Sequence, residues 1–300
     1  MVPTRRASCS AALLSGCLLA LVAGPATAAP TTIVFADQVA GVGPYDLFSV
    51  EPDGSDLRHL THGGADDTTP AWSPDRRRIA FARLSGSADG LFTIAADGTH
   101  ARRIPHTHAG DDPAWSPNGK RIAFTVMRPD LKSAVFTIRP DGKHRRRLTS
   151  YSLEVFNADW SPDGQSIVYE SRKAIKVMRA NGRHKRVLIH DGTAPSWSPD
   201  GQRIAFGREG QKDGVAVTDI LTVALDGSDL RNLTSSRPGV VCTPAENCAR
   251  LDEIPSWSSD GSQIAFEELT AAHGSEGVFT VDAGGTEIRQ VTRSGREPDW

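Results

Sequence analysis

A repeated phrase places the strongest constraint on the fold of this chain, and its fullest copy is Pro-Ser-Trp-Ser-Pro-Asp-Gly-Gln-Arg-Ile-Ala-Phe at residues 195–206. Trp197 closes one strand signal. Ser-Pro-Asp-Gly then forms a tight turn, because proline presets φ and glycine accepts the left-handed conformation. Ile204 and Phe206 alternate with Ala205, which is the period of a strand. The phrase therefore predicts a β-hairpin.

This phrase accounts for every tryptophan in the protein, so the large side chain serves one repeated structural role. The tryptophans are Trp72, Trp115, Trp160, Trp197, Trp257 and Trp300. Their spacings are 43, 45, 37, 60 and 43 residues. A period of about 45 residues is typical of propellers and other repeat arrays.

Each repeat carries four strand signals. In the repeat that starts at Trp72 they cover residues 70–73, 78–83, 91–95 and 101–104, and we name them strands a, b, c and d. The a–b and c–d connections are tight turns, and no helical period is visible. Four short strands in each repeat predict an all-β fold, a β-propeller with four-stranded blades.

The two ends of the chain supply the parts of one more blade. A strand-b signal without its tryptophan lies at residues 33–35, and a strand-a signal without its turn lies at residues 297–300. Joined, they complete a sixth blade. We therefore predict a six-bladed propeller in a single domain at residues 29–300, with the ring closed by pairing of the N- and C-terminal strands.

Residues 1–28 have the features of a secretory signal peptide. Arg5 and Arg6 precede an apolar run at residues 11–23, and Ala-Thr-Ala at residues 26–28 offers a cleavage site. In an alternative interpretation, Leu-Ser-Gly-Cys at residues 14–17 is a lipobox that places a lipid anchor on Cys17. We expect an exported protein, periplasmic or secreted, without a transmembrane segment, because the apolar run is too short to span a bilayer comfortably.

Charge and cysteine content narrow the classes of partner. Without Arg5 and Arg6 the chain keeps 32 basic and 36 acidic residues, a net charge near −4. That balance gives no general argument for nucleic acid or an anionic membrane as partner. Cys242 and Cys248 then remain as the cysteines of the exported chain. In such a protein the pair predicts a disulfide, with a metal site as the weaker alternative because supporting ligands are absent nearby.

Several repeated motifs carry a family resemblance. Pro-x-Trp-Ser-Pro-Asp-Gly-x-x-Ile-Ala-Phe, followed by Leu-Phe-x-Ile-x-x-Asp-Gly and Arg-x-Leu-Thr, resembles the WD-like repeat of TolB-type propellers over nearly all of residues 31–300. Arg76, Asn118 and Ser259 depart from the turn pattern, where they replace its Gly, Asp and Pro. The resemblance does not extend to the separate N-terminal α/β domain of TolB proteins. It implies protein–protein recognition in the cell envelope or outside the cell.

Variable loops are the expected place for function, because sites tend to lie on loops held by a rigid scaffold. The b–c and d–a loops vary in length and share one face of a propeller. The largest insertion covers residues 235–253 and contains both Cys242 and Cys248. This insertion is either a disulfide-linked surface loop that has no partner or a loop that recognises one. A long b–c loop predicted at residues 207–219 belongs to the preceding blade.

Acidic residues crowd the start of strand a, the innermost strand, and so predict an acidic tunnel mouth. They could hold a divalent cation or a basic segment of a partner, or they could be solvated loop acids and turn caps. The candidate binding residues are Asp66, Asp67, Asp111, Asp112, Asp159, Asp252, Glu253, Glu297 and Asp299.

Basic clusters begin strand d in three consecutive repeats, at residues 100–103, 143–147 and 183–186. Strand d is the outermost strand, where Lys and Arg discourage pairing with other chains. A basic outer stripe could also bind an anionic glycan or lipid.

Catalytic motifs are scarce in this sequence. It has no Gly-x-Ser-x-Gly elbow and no phosphate-cradling glycine loop. We therefore predict no catalytic residue, no metal ligand and no cofactor. The sequence favours an exported binding or scaffold module with a protein partner. The alternative is a hydrolase or lyase at the tunnel mouth that acts on a carbohydrate or other small substrate with a divalent cation.

Overall fold

A computed structural model describes residues 31–86, 89–212, 215–235, 250–270 and 274–300. The predicted signal peptide with Cys17, and the pair Cys242 and Cys248, lie outside the described residues. Within those ranges no helix has the length and apolar character needed to cross a bilayer.

Strands follow one another through the chain as antiparallel sheets. The first three are β1 (Ile33–Gln38), β2 (Tyr45–Val50) and β3 (Arg58–His59), with a 3-10 turn at Val39–Gly41. Blade 1 contains β4 (Asp66–Trp72), β5 (Arg78–Leu84), β6 (Gly90–Ala95) and β7 (Arg102–Arg103). Blade 2 contains β8 (Gly110–Trp115), β9 (Ile122–Met127), β10 (Lys132–Ile138) and β11 (Arg146–Arg147), with β12 (Ser152–Leu153) added beside β10.

Three further blades and a last strand complete the order. Blade 3 contains β13 (Val155–Trp160), β14 (Ser166–Ser171), β15 (Ala174–Arg179) and β16 (Arg186–His190). Blade 4 contains β17 (Thr193–Trp197), β18 (Arg203–Lys212), β19 (Val215–Ala224) and β20 (Arg231–Asn232). Blade 5 contains β21 (Arg250–Trp257), β22 (Gln263–Thr270), β23 (Gly274–Asp282) and β24 (Ile288–Gln290). The last strand is β25 (Arg296–Asp299).

Blade 6 is built from both ends of the chain, which confirms the predicted closure. β25 pairs with β1 through Val34 opposite Asp299 and Ala36 opposite Arg296, and the sheet order is β25-β1-β2-β3. The protein is therefore a six-bladed propeller with four-stranded blades, as the repeat predicted.

The hydrophobic core is divided among the six interfaces between neighbouring blades. At the interface of blades 1 and 2, for example, Leu91 and Ile104 pack with Trp115 and Phe124. At the interface of blades 5 and 6, Trp300 packs with Ala265 and Val278. Each repeat tryptophan thus covers the preceding blade, which explains why the sequence repeats it once per blade.

The Ser-Pro-Asp-Gly turns are held by their own side chains. The Ser198 hydroxyl donates to the Asp200 carboxylate at 2.6 Å, and the same contact recurs in blades 1, 3 and 5. Arg76 stands at the left-handed glycine position of blade 1 with φ 56°. Its guanidinium carbon lies 4.4 Å from the ring centre of Trp72. That cation–π contact helps to offset the unfavourable backbone conformation.

The predicted long loop at residues 207–219 is wrong. β18 and β19 continue through it as a paired hairpin, with Gly207 opposite Ile220 and Lys212 opposite Val215. The β-branched residues Val217 and Thr218 favour this extension, because such side chains pack well on a pleated surface.

Part of the predicted insertion at residues 235–253 is also strand. β21 begins at Arg250, and it pairs in parallel with β19 through Arg250 beside Val217 and Leu251 beside Thr218. Blades 4 and 5 therefore join in one continuous sheet.

Candidate functional site

A left-handed residue interrupts the innermost strand of every blade, three positions before the tryptophan. The six residues have φ between 46° and 54°, and they are Thr69, Asp112, Asn157, Ala194, Ile254 and Glu297. Each innermost strand shifts its register at or beside this point. A bulge of this kind leaves one residue outside the strand ladder and redirects its side chain.

Carboxylates of the preceding blade accept several of the bulge N–H groups. Glu297 Oε2 accepts from the Thr69 nitrogen at 2.7 Å, and Glu170 Oε2 accepts from the Ala194 nitrogen at 3.1 Å. Asp112 Oδ2 accepts from the Asn157 nitrogen at 3.4 Å. The bulges therefore link neighbouring blades around the axis through acidic side chains.

Two more carboxylates link blades one position before the tryptophan. Asp159 Oδ2 accepts from the Trp197 nitrogen at 2.8 Å. Asp299 Oδ2 accepts from the Trp72 nitrogen at 2.7 Å, and Asp299 Oδ1 accepts from the Ser256 hydroxyl at 3.1 Å. Blades 3 and 6 thus each contribute one aspartate, Asp159 or Asp299, that accepts a hydrogen bond from the backbone of the next blade.

These groups line a cavity on the axis of about 230 Å³. Its acidic lining residues are Asp112, Asp159, Glu297 and Asp299, between prolines and small side chains. In the part of the chain that the structure describes, no Lys, Arg or His lines it. The cavity holds four carboxyl groups without a lining cation.

The cavity raises the pKa of its carboxyl groups. Burial raises the pKa of Asp159 to about 7, with a smaller contribution from the charge of Asp299. Burial is also the main cause that raises the pKa of Asp112, followed by the charge of Asp111. Burial raises the pKa values of Glu297 and Asp299. The Thr69 N–H and the charge of Arg296 hold back the pKa of Glu297, and the Trp72 N–H and the charge of Arg76 hold back that of Asp299. A cation entering the cavity would favour the ionised carboxylates.

The other predicted acids have separate structural positions. Asp67, which is 2% exposed, pairs with Arg83 through contacts of 2.6 and 2.7 Å. Asp66 accepts from the Tyr45 nitrogen, and Asp111 accepts from the Thr69 hydroxyl. Burial raises the pKa of Glu253, with Glu209 and Glu170 adding to the effect. The side chain of Asp252 lies outside the described residues.

Sequence reasoning missed three buried glutamates on the second strand of their blades, Glu170, Glu267 and Glu268, and the first two accept hydrogen bonds from bulge N–H groups. Glu170 is 8% exposed, and Glu267 is 3% exposed with a pKa raised to about 7 by burial. Glu267 Oε2 accepts from the Glu297 nitrogen at 2.5 Å. The available signal was an acid directly after the buried aromatic residue of strand b, at Tyr169 and Phe266.

The acids do not converge on a single point. Among the described residues, no group of three or more His, Cys, Asp or Glu side chains is placed to hold a metal ion. The carboxylates are distributed around the ring and engaged with backbone N–H groups.

Known proteins resemble this chain in sequence and in fold. The family described as PD40, the TolB beta propeller domain, matches residues 22–247. A protein TolB homolog from Chlorobium luteolum is 28% identical over 158 residues, which cover 52% of this chain and 35% of that protein. The matched region thus spans about a third of that relative's length.

Solved structures show the same architecture. TolB from Acinetobacter baumannii superimposes with a TM-score of 0.67 at 16% identity, covering 90% of this chain and 66% of that one. A putative TolB from Agrobacterium tumefaciens gives 0.67 at 21% identity, covering 89% and 90%. An oligogalacturonate lyase in complex with manganese gives 0.58 at 12% identity, covering 88% and 74%. At these identities the likeness establishes the fold.

The family match covers more than half of the chain and coincides with the repeats that form the blades. This chain therefore belongs to the TolB beta propeller domain family.

Proposed function

We propose that this protein is an exported binding module that holds a cationic segment of a partner protein in its axial cavity. The observation that carries the proposal is the lining of the cavity by Asp112, Asp159, Glu297 and Asp299 without a lining cation. Residues 1–28 support export through their signal-peptide composition.

Electrostatics favour a cationic occupant. Carboxyl groups whose pKa values are raised by burial carry an energetic penalty when they ionise, and a nearby positive charge offsets it. A Lys or Arg side chain on the axis would lie among carboxyl groups contributed by blades 2, 3 and 6. Complementary charge of this kind improves both the specificity and the association rate of a protein complex.

The rigidity of the ring supports a binding role. Backbone N–H groups of neighbouring blades are tied to the same carboxylates that line the cavity, so the lining is held before a partner arrives. A preformed site loses little conformational entropy on binding.

Affinity capture tests the proposal. The protein is immobilised, exposed to extract from the source cells, and the retained proteins are identified by mass spectrometry. Three further columns carry Asp112→Asn, the control Asp130→Asn, and a variant with residues 240–250 replaced by a Gly-Ser link. Asp112→Asn removes one cavity charge and keeps a residue type that tolerates the left-handed backbone. Asp130 is an exposed acid between β9 and β10.

We expect a partner that the wild type and Asp130→Asn retain and that Asp112→Asn retains more weakly. Loss from the Gly-Ser variant would add the insertion to the binding surface. Equal retention on the wild type, Asp112→Asn and Asp130→Asn columns would contradict a role for the cavity. Retention of no protein on any column would contradict the binding proposal itself.

A further inference from the structure

An exposed arginine occupies the same position in the outermost strand of all six blades. It lies two residues before a buried or half-buried aliphatic residue. These arginines are Arg58, Arg102, Arg146, Arg186, Arg231 and Arg289. Their shared position allows the six blades to be compared directly.

In blades 4, 5 and 6 this arginine is neutralised by an acid two residues earlier. Arg231 contacts Asp229 at 2.7 Å, and Arg58 contacts Asp56 at 2.6 Å. Arg289 makes the same contact with Glu287 at 2.5 Å. In these three consecutive blades the outer-strand arginine therefore forms an ion pair with an acidic residue.

In blades 1, 2 and 3 the acid is replaced by His100, His144 and His184. These histidines have φ between 54° and 60°, and the corresponding Asp56 and Asp229 have φ of 53° and 48°. The local backbone is therefore the same, and the difference is the missing carboxylate.

The three outer-strand arginines of blades 1–3, Arg102, Arg146 and Arg186, have no acidic partner among the described residues. Arg146 donates to the Asn181 carbonyl at 3.0 Å, and Arg186 donates to the Leu225 carbonyl at 2.8 Å. Each contact reaches the next blade. The guanidinium groups of Arg146 and Arg186 are thus held at the seams between blades, and no carboxylate of a described residue compensates their charge.

A cleft between blades 2 and 3 continues this basic edge. Its volume is about 680 Å³, and its cationic lining residues are Lys120, Arg121, Arg139 and Arg146. None of these four forms an ion pair with a described residue. Asp141 also lines the cleft, where its carboxylate accepts from the Lys143 nitrogen at 2.9 Å.

Charge is strongly divided along the chain. Residues 66–190, which form blades 1–3, contain 22 Lys and Arg against 13 Asp and Glu, a balance of +9 in a chain whose total is −2. Of those thirteen acids, Asp112 and Asp159 line the axial cavity, and Asp111 and Glu170 bond to residues of its lining. The outer side of blades 1–3 therefore carries more positive charge than the sequence balance alone suggests.

We propose that the outer edge of blades 1–3, with the cleft between blades 2 and 3, binds an acidic polysaccharide. Protection of strand edges alone would be served equally well by paired and unpaired arginines. The three unpaired positions follow one another around a convex rim, and a flexible linear polymer can follow that curve. Its carboxylate or sulfate groups would meet Arg102, Arg146 and Arg186 in turn.

Other polyanions fit this edge less well. Nucleic acid binding to single strands uses exposed aromatic side chains for base stacking. The exposed large apolar residues of the described chain are all aliphatic or methionine. A flat anionic membrane would meet only part of a convex rim, and the same lack of exposed aromatic anchors argues against insertion.

Calorimetric titration of the protein with heparin and with polygalacturonate tests the proposal, with neutral dextran as the blank. The key variant is H100D/H144D/H184D, which copies into blades 1–3 the pairing found at Asp56 and Asp229. The control V42D/L57D/L230D makes the same change in net charge at exposed positions of blades 4 and 6. Circular dichroism and thermal melts establish that both variants fold.

We expect salt-sensitive binding of both acidic polymers and no binding of dextran. The histidine variant should bind about tenfold or more weakly, because three arginines gain an acidic partner, and the control should stay close to wild type. If both variants bound the polymers equally weakly, the loss of affinity would follow from net charge alone, and the proposal would be overturned. So would the absence of polymer binding, or tighter binding to phosphatidylglycerol vesicles or single-stranded DNA than to either polysaccharide.

Discussion

At the scale of single residues, the axial acids combine a structural and an electrostatic role. Asp159 accepts from the Trp160 and Trp197 nitrogens at 2.7 and 2.8 Å, so it links two blades. Burial of the same carboxyl raises its pKa to about 7. The ring therefore contains groups whose ionisation is coupled to the stability of the fold.

This coupling predicts the direction of a pH dependence. Between about pH 4 and pH 7 the folded protein keeps a proton on Asp159 that the unfolded chain has already lost. The folded state then binds more protons, so the contribution of this group to the unfolding free energy falls as pH rises through that range. Below the range and above it, the contribution is constant.

Asp159→Asn removes the titrating group, so its stability relative to wild type should increase from pH 4 to pH 8. Urea unfolding at a series of pH values measures the difference, with Glu154→Gln, at an exposed position, as the control. Parallel stability curves for Asp159→Asn and wild type would contradict the assignment.

The candidate site was only partly predictable residue by residue. Of the predicted acids, Asp112, Asp159, Glu297 and Asp299 line the cavity, whereas Asp67 forms a pair with Arg83. Sequence position before strand a could not separate these cases, because the bulge decides which side chains turn toward the axis. None of the six left-handed bulge residues is glycine, so they carry no obvious sequence mark.

At the scale of secondary-structure elements, the Leu-Thr motif has a definite role after strand d. The Thr149 hydroxyl accepts from the Val135 nitrogen at 2.9 Å, and Thr61, Thr107 and Thr292 make the corresponding contact in their blades. The threonine continues the strand ladder by one hydrogen bond where the short outer strand ends.

Thr149→Val keeps the shape of this buried side chain and removes the acceptor. The unsatisfied Val135 N–H should lower the unfolding free energy by about 1–3 kcal/mol. Thr149→Ser keeps the hydroxyl and should stay closer to wild type. Denaturant unfolding of both variants measures the difference, and equal stability of Thr149→Val and wild type would refute the role of the hydroxyl.

Strands within the repeat were predictable because the turn residues and the alternation of large and small apolar side chains indicated the same strand positions in each copy. Strand c, for example, lies inside β6 and β10 as expected. The prediction failed at residues 207–219, where polar and glycine residues suggested a loop. Pairing between β18 and β19 overrides that local preference by extending an existing hairpin.

At the scale of the whole molecule, stability depends on closure of the ring. Trp300 is 9% exposed and packs on blade 5, as Trp160, 8% exposed, packs on blade 2. Closure makes the last tryptophan equivalent to an internal one, although β25 has no turn connecting it to β1.

Trp300→Ala and Trp160→Ala should therefore destabilise the protein by similar amounts, roughly 3–5 kcal/mol each. Thermal or denaturant unfolding compares them directly. A near-neutral Trp300→Ala beside a costly Trp160→Ala would mean that the terminal strand frays and the ring does not depend on it.

The architecture followed from the repeat, but the distribution of charge over the molecule did not. Six copies of four strands predicted the propeller and its closure. The division into an acidic axis and a basic edge on blades 1–3 depends on which residues face each other across blades. Asp159 with Trp197, and Arg146 with Asn181, are such pairs.

The most direct test of the central claim is the affinity of the captured partner as a function of pH, measured by surface plasmon resonance on wild type and Asp112→Asn. Burial raises the pKa of Asp159 to about 7 and also raises that of Asp112. Because Asp159 loses its proton as pH rises from 5.5 to 8, the wild type should bind a cationic segment more tightly at the higher pH. Asp112→Asn should bind more weakly and show a smaller change. Affinity that is independent of pH and unaffected by Asp112→Asn would contradict binding in the axial cavity.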